Sequence, residues 1–125
     1  MSSKFTELCI DCADPGRLAQ FWCAVLGYEV NHADDEIVTI GPGTPNISGP
    51  ITPVLTFARV PESKTIKNRL HLDLNPTDRE QADEVARVLE LGARHADVGQ
   101  TGDESWVVLS DPEGNEFCVL ATRRP

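Results

Sequence analysis

The sequence has little positive charge: 11 lysines and arginines stand against 20 aspartates and glutamates, for a formal net charge of −9 at pH 7. A general nucleic-acid-binding protein needs a basic face that contacts phosphates. The acidic residues are dispersed over positions 34–36, 78–84 and 103–104, which indicates solvated surface. We therefore expect no nucleic-acid partner.

The sequence also lacks long hydrophobic runs. No apolar stretch approaches the roughly 18 residues that a membrane span requires. The residues after Met1 lack the hydrophobic region of a signal peptide. We expect a cytoplasmic protein with no membrane partner. A length of 125 residues with 40% hydrophobic residues suits a single domain.

Four cysteines are present, and Cys9 and Cys12 have the C-x-x-C spacing. Both fall in a predicted strand, where residues three apart point to opposite faces of the sheet. Two such thiols cannot chelate one ion or form a disulfide without breaking the strand. The cysteines are therefore predicted to be reduced thiols, with Cys12 and Cys23 in the core.

A weak internal repeat relates positions 64 residues apart. Leu8, Ile10 and Asp14 correspond to Leu72, Leu74 and Asp78. The apolar sets that follow have the i, i+3, i+4, i+7 spacing of one helix face; they are Leu18, Phe21, Trp22 and Val25, and then Ala82, Val85, Ala86 and Leu89. The pattern predicts a duplicated strand–helix unit.

The first module begins with a strand over residues 5–13. Asp14 and Pro15 then predict a helix start, as an N-cap and a proline at the first helical position, and Gly27 predicts its end. Three strands are predicted to follow, over residues 28–32, 36–40 and 53–60. The proline- and glycine-rich residues 41–50 between the last two predict a connection or a pocket rim.

The second module repeats this plan. A strand over residues 70–75 precedes a capping box at residues 77–80, which opens a helix that Gly92 ends. The remaining predicted strands cover residues 94–98, 105–110 and 116–121, with a tight turn at residues 111–115. The sequence therefore predicts an α+β fold of two tandem β-α-β-β-β modules.

The first strands alternate apolar and polar residues. Leucine and isoleucine occupy the face against the helices, which leaves the opposite face free to line a cleft. That free face carries Glu7, Cys9, Asp11, His71 and Asp73.

Three segments in this order resemble the vicinal oxygen chelate superfamily, which includes glyoxalase I, extradiol dioxygenases, and fosfomycin- and bleomycin-resistance proteins. They are residues 14–29 (DPGRLAQFWCAVLGYE), 67–73 (KNRLHLD) and 109–118 (LSDPEGNEFC). The chain most resembles the small glyoxalase-like domain proteins. The resemblance implies one domain over residues 1–125, with modules at about 4–60 and 68–122 that form a curled mixed sheet around a concave cleft. It also implies a homodimer, with the cleft within one chain or between two.

The resemblance further implies where a metal would bind. Metal-dependent members carry one ligand on the first strand and one on the last strand of each module. The first-strand positions hold Glu7 and His71; the last strand of module one offers Thr56 or Ala58, and that of module two holds Cys118 in place of the family's glutamate. A cysteine ligand favours zinc over magnesium or manganese. Because this set is incomplete, a bound divalent metal and a metal-free protein both remain open.

Glu7 and His71 are the candidate catalytic residues, and with Cys118 they are the candidate metal ligands. His71 is either a ligand, a general base, or a structural histidine hydrogen-bonded to a neighbour. The candidate substrate-binding residues are Cys9, Asp11, Asp73, Trp106 and Cys118. Trp106 is either a stacking wall for a planar ligand or simply packed. Lys64, Lys67 and Arg69 are either solvated or contact an anionic ligand.

Three functions are open at this point. The first is a glyoxalase-like enzyme that acts on a small oxygen-bearing metabolite, by metal-assisted lyase or isomerase chemistry. The second is a metal-free protein that binds a drug or metabolite, as the bleomycin-resistance proteins do. The third is a dimeric scaffold whose cavity is filled by side chains.

Overall fold

A computed structural model of the protein describes residues 1–43 and 52–125. The chain divides into two compact units, Met1–Ser63 and Lys64–Pro125, called here the first and second unit. Most of the glycine- and proline-rich loop predicted over residues 41–50 lies outside the described residues. Within the described ranges, no helix is long and apolar enough to cross a membrane.

The first unit has one helix on a four-stranded sheet. Its elements are β1 (Glu7–Cys12), α1 (Pro15–Leu26), β2 (Glu29–Ala33), β3 (Ile37–Gly41) and β4 (Val54–Arg59). The strand order is β1-β4-β3-β2, with β1 parallel to β4 and the other pairs antiparallel. The edge strand β2 is exposed along its whole length, and its pairing with β3 shifts register between Val30 and His32.

The second unit has the same arrangement. Its elements are β5 (Leu72–Leu74), α2 (Gln81–Leu91), β6 (Arg94–His95), β7 (Val107–Ser110) and β8 (Glu116–Val119). The strand order is β5-β8-β7-β6, again with one parallel pair, β5 and β8. The predicted α+β fold of two β-α-β-β-β modules is therefore confirmed. Each module forms its own mixed sheet, and neither sheet is closed.

Helix α1 forms where its end signals predict it. The Asp14 carboxylate accepts a hydrogen bond from the backbone N–H of Arg17, and Pro15 occupies the first turn. Gly27 adopts a left-handed conformation with φ of 70° and returns its N–H to the Cys23 carbonyl. The buried face of the helix carries Leu18 and Trp22 and packs on β3 and β4.

Helix α2 starts later than predicted. The capping box expected at residues 77–80 does not form: the helix begins at Gln81, and its N-cap Glu80 makes no side-chain hydrogen bond. Asp78, the repeat counterpart of the N-cap Asp14, pairs with Arg79 at 2.9 Å. The buried stripe also differs, because Val85 and Val88 are buried while the predicted Ala82 and Ala86 are exposed.

The turn between β7 and β8 is organised by a buried carboxylate. Asp111 is 2% exposed and accepts hydrogen bonds from the backbone N–H groups of Glu113 and Asn115 and from the Asn115 side-chain amide. Gly114 completes the turn with φ of 87°. This turn fixes the pairing of β8 with β7, and β8 carries residues of the site described below.

Replacing Asp111 by alanine should destabilise the protein by about 2–3 kcal/mol, because several donors lose a charged acceptor in a buried turn. Chemical denaturation would measure the change in the free energy of unfolding. Asp111→Asn keeps one acceptor oxygen and should cost clearly less. Equal stability of Asp111→Ala and the parent protein would show that the turn is held by other contacts.

Candidate functional site

The register of the two parallel strand pairs determines which residues occupy equivalent positions in the repeat. In the first unit Cys9 lies opposite Thr56, and in the second unit Asp73 lies opposite Cys118. Because Cys9 and Asp73 are related by the 64-residue repeat, Thr56 is the counterpart of Cys118. Of the two positions left open by the sequence, Thr56 and Ala58, the register selects Thr56.

In the first unit, Thr56 belongs to a row of hydrogen-bonded polar side chains. The Thr56 hydroxyl donates a hydrogen bond to the Glu7 carboxylate. Since its single proton is used there, the Thr39 hydroxyl, 3.0 Å away, donates to Thr56. Cys9 and Asp11 are exposed on the same face of β1 as Glu7, as alternation predicts. Glu7 therefore acts as the hydrogen-bond acceptor at the end of a hydroxyl chain.

In the second unit, Cys118, the counterpart of Thr56, lines a cavity of about 280 Å³. This volume is near the lower end of the range for small-molecule sites. The polar lining residues are Lys67, His71, Asp73, Glu116 and Cys118, and the apolar ones are Val98, Trp106, Val108, Phe117 and Leu120. A cavity lined by apolar side chains together with a few polar groups is typical of a binding site for a small molecule.

Three of these residues bring different ligand atoms together. The imidazole of His71, the carboxylate of Asp73 and the thiol of Cys118 offer one nitrogen, one oxygen and one sulfur, all within 4.8 Å of one another. The Nε2 atom of His71 lies 3.2 Å from Oδ1 of Asp73. His71 and Asp73 are exposed, whereas Cys118 is buried. The group is therefore accessible from solvent on one side and anchored in the core on the other.

This donor set fits a divalent metal. Three protein ligands with an open fourth position are the pattern of catalytic zinc sites, and a thiolate with an imidazole suits zinc better than manganese or magnesium. Asp73, which the sequence assigned to substrate binding, supplies the carboxylate of this group. Glu7 belongs to the first unit, and its role as a ligand or catalytic residue stays a prediction.

The thiol of Cys118 is held in its neutral form. Burial raises its pKa, and the charge of Asp73 and a hydrogen bond to that carboxylate raise it further, while the charge of Lys67 acts in the opposite direction. A lysine near Cys118 is a feature that sequence reasoning missed, since no positive neighbour is close to Cys118 in the sequence. The raised pKa argues against Cys118 as a nucleophile at neutral pH in the metal-free protein.

We expect Cys118 to react slowly with iodoacetamide at pH 7 and progressively faster as the pH approaches and passes 9, because only the thiolate is nucleophilic. Mass spectrometry of the peptide that contains Cys118 would follow the modification. Asp73→Asn removes the neighbouring negative charge and should shift the rate profile to lower pH. Rapid alkylation at pH 7 in the parent protein would contradict the raised pKa.

Glu116 holds the coil segment around Lys67 at the cavity. One carboxylate oxygen accepts from the Lys64 Nζ at 2.9 Å, and the other accepts from the Asn68 backbone N–H at 3.0 Å. Burial by itself raises the pKa of Glu116, but these two hydrogen bonds outweigh it and the pKa lies below its usual value. The period-2 alternation that relates Glu116 to Cys118 in one strand could have identified this residue from the sequence.

Trp106 lies just before β7 and is 45% exposed at the cavity wall. The predicted strand over residues 105–110 begins at Val107, so strand alternation does not set the orientation of Trp106. Of the predicted substrate-binding residues, Asp73, Trp106 and Cys118 line this cavity. The other two, Cys9 and Asp11, lie on β1 in the first unit.

Comparison with known proteins identifies the family. The sequence profile of the glyoxalase-like domain matches residues 7–120, nearly the whole chain. The chain belongs to the glyoxalase-like domain family. No curated protein sequence matches it significantly.

Solved structures of glyoxalase-like and related proteins share this fold. A glyoxalase/bleomycin resistance protein/dioxygenase family enzyme from Burkholderia phytofirmans PsJN has a TM-score of 0.69 and 17% identity, over 94% of this chain and 97% of its own. The fosfomycin resistance protein FosX from Mesorhizobium loti has a TM-score of 0.70 and 14% identity, over 98% and 94%. A FosX mutant from Listeria monocytogenes, solved with Mn(II) and 1S,2S-dihydroxypropylphosphonic acid, has a TM-score of 0.69 and 11% identity, over 97% and 90%. At these identities the likeness shows the fold, and function has to be argued from the site.

Proposed function

We propose that this glyoxalase-like protein binds a small oxygen-bearing metabolite in the second-unit cavity, next to a divalent metal held by His71, Asp73 and Cys118. The observation that carries the proposal is the convergence of three different ligand atoms within 4.8 Å at the wall of a cavity. That a FosX of the same fold was solved with Mn(II) and a small dihydroxy acid supports it. The thiolate makes zinc the metal of choice here.

A metal at this site would supply Lewis-acid polarisation of a ligand oxygen, which suits lyase or isomerase chemistry. Proton transfer would have to be carried out by side chains of the protein. An imidazole nitrogen that binds a metal cannot also accept a proton, so His71 would act as a ligand and not as a base in the metal-bearing protein. Glu7, in the first unit, stays the candidate catalytic carboxylate that the sequence predicts. In a metal-free protein, His71 itself could serve as the general base.

Metal stoichiometry tests this proposal. The protein, purified without chelator and dialysed against zinc, should retain about one equivalent of metal as measured by elemental analysis. Less than about a tenth of an equivalent after loading with zinc, nickel and manganese would exclude the metal-bearing form.

The second candidate function is metal-free binding of a small molecule. The observation that favours it is that the three groups already interact with one another: Asp73 lies beside the His71 imidazole and accepts a hydrogen bond from the Cys118 thiol. In that case a ligand should raise the melting temperature with no turnover and no dependence on metal. A screen of planar drugs and small acids that produced no shift would argue against this alternative.

We also propose that residues 1–125 form one domain and that the protein is a homodimer, as the family resemblance implies. Sedimentation equilibrium would give the mass in solution, and a single species at the monomer mass would exclude the dimer. A single cooperative unfolding transition, seen by two probes, would support one domain. The cytoplasmic location stays a prediction.

A further inference from the structure

Lys67 is the feature of the cavity that the proposed function does not use. It lies in the coil over residues 60–71, which contains no helix or strand, and it lines the cavity together with His71 and Cys118. Its position there follows from the hydrogen bonds that Glu116 makes on either side of it, to Lys64 and to Asn68. The coil is therefore attached to β8 at two points that bracket Lys67.

The ammonium group of Lys67 is not neutralised by a neighbouring carboxylate. Its Nζ donates a hydrogen bond to the backbone carbonyl of Asn68 at 3.0 Å, and within the second unit as described it forms no ion pair. The two nearby carboxylates have other partners: Glu116 pairs with Lys64, and Asp73 lies beside His71. A lysine that is left with uncompensated charge at a cavity wall is able to pair with a ligand.

The positive charge of Lys67 matters because the protein as a whole is negatively charged. With a net charge of −9, the protein as a whole repels anions. An anionic ligand therefore needs a local positive group at the site, and the same cavity is lined by apolar side chains, among them Trp106, Val108 and Leu120. These two features together match a small molecule with an acidic group at one end and an apolar body.

We infer that the cavity selects small organic acids, and that Lys67 is the residue that recognises their carboxylate or phosphonate group. This inference names the ligand class of the proposed site and so rests on the proposed function. Lys67 binds the anionic end, the apolar wall holds the body, and the His71 side of the cavity is left for the reacting oxygen. Glu116 acts as a positioning residue, because it holds the coil that carries Lys67.

Benzoate, benzamide and benzylamine provide a test, because they share one ring and differ in the charge of the attached group. Binding to the protein, freed of metal on a chelating resin, would be followed by NMR through the Trp106 indole signal. Benzoate should bind about two- to fivefold more tightly than benzamide, as expected for a partly exposed ion pair. Lys67→Met should bring that ratio to about one without weakening benzamide.

Two further variants test whether the preference depends on the charge at position 67. Arg69→Met removes the same charge from the same coil, at a position that does not line the cavity, and should keep the parent preference. Lys67→Glu should reverse the preference, so that benzylamine binds more tightly than benzoate. Because residues 67 and 69 are exposed and outside helices and strands, these variants are expected to fold normally.

The outcomes separate this inference from the proposed function. Equal binding of benzoate and benzamide by the parent protein, or an unchanged benzoate preference in Lys67→Met, overturns the role of Lys67 while the cavity remains a binding site. Failure of all three probes in a protein that still binds zinc overturns the inference and leaves the metal site. If the protein binds neither zinc nor any of the three probes, the inference and the proposed function are both overturned.

Discussion

Replacing His71 by alanine is expected to abolish zinc binding, with a loss of affinity greater than about 100-fold. The expectation follows from the site, since within the described residues three side chains supply its ligand atoms and the imidazole is one of them. Changes to residues that merely support metal ligands already cost about 10–100-fold in affinity, so removal of a ligand itself should cost more. Competition with a chromogenic zinc indicator would measure the dissociation constants of both proteins.

A matched control is available in the same unit. His95 is exposed at the end of β6, so His95→Ala removes one imidazole without touching the cavity, and it should bind zinc as the parent does. Retained binding in His71→Ala, together with weakened binding in His95→Ala, would show that the ligand assignment is wrong.

Substitution of cobalt for zinc tests the sulfur ligand separately. A thiolate bound to cobalt gives a charge-transfer absorption in the near ultraviolet, and Cys118→Ser should remove it while the metal still binds weakly. Cobalt binding without this absorption in the parent protein would mean that Cys118 is a wall residue and not a ligand.

Replacing Trp22 by alanine should have the largest effect on stability, about 3–5 kcal/mol. Trp22 is 1% exposed in α1, and its ring meets that of Phe21 edge to face with centroids 5.2 Å apart. Removal of the indole leaves a cavity in the core of the first unit. Because whole domains are stable by only about 5–15 kcal/mol, the variant should unfold at a much lower urea concentration.

The second tryptophan provides the comparison. Trp106→Ala removes an identical side chain from a site that is 45% exposed, and should change the free energy of unfolding by no more than about 1 kcal/mol. Instead, it should weaken ligands that contact the cavity wall. Equal destabilisation by the two substitutions would show that Trp106 is a core residue and that the described cavity is not open.

Local signals explain which parts of the fold could be predicted from the sequence. Helix α1 has an N-cap carboxylate, a proline in its first turn and a glycine after its last residue, and its predicted ends are those observed. Helix α2 has an apparent capping box at residues 77–80, but Asp78 pairs with Arg79 and the helix begins at Gln81. The same residue types thus support two local structures, and the sequence pattern does not distinguish them.

The site shows a similar division. Strand alternation placed Asp73 on the face away from the helix, and the family motif identified Cys118 as a ligand position. Their contact depends on the register of β5 against β8, which joins residues 45 positions apart and has no local signal. Lys67 lies in a coil with no periodic pattern, so its place at the cavity follows only from the hydrogen bonds of Glu116 with that coil.

The register shift in β2 has a consequence for the behaviour of the protein in concentrated solution. In the described ranges β2 pairs with β3 alone, which leaves one side of an exposed strand available to another chain. A regular edge of this kind is a template for intermolecular pairing and aggregation. The irregularity between Val30 and His32 interrupts the regular spacing of its free N–H and C=O groups, which disfavours in-register extension of the ladder by a second copy. We therefore expect the bulge to lower the tendency of this edge to pair with other chains at high protein concentration.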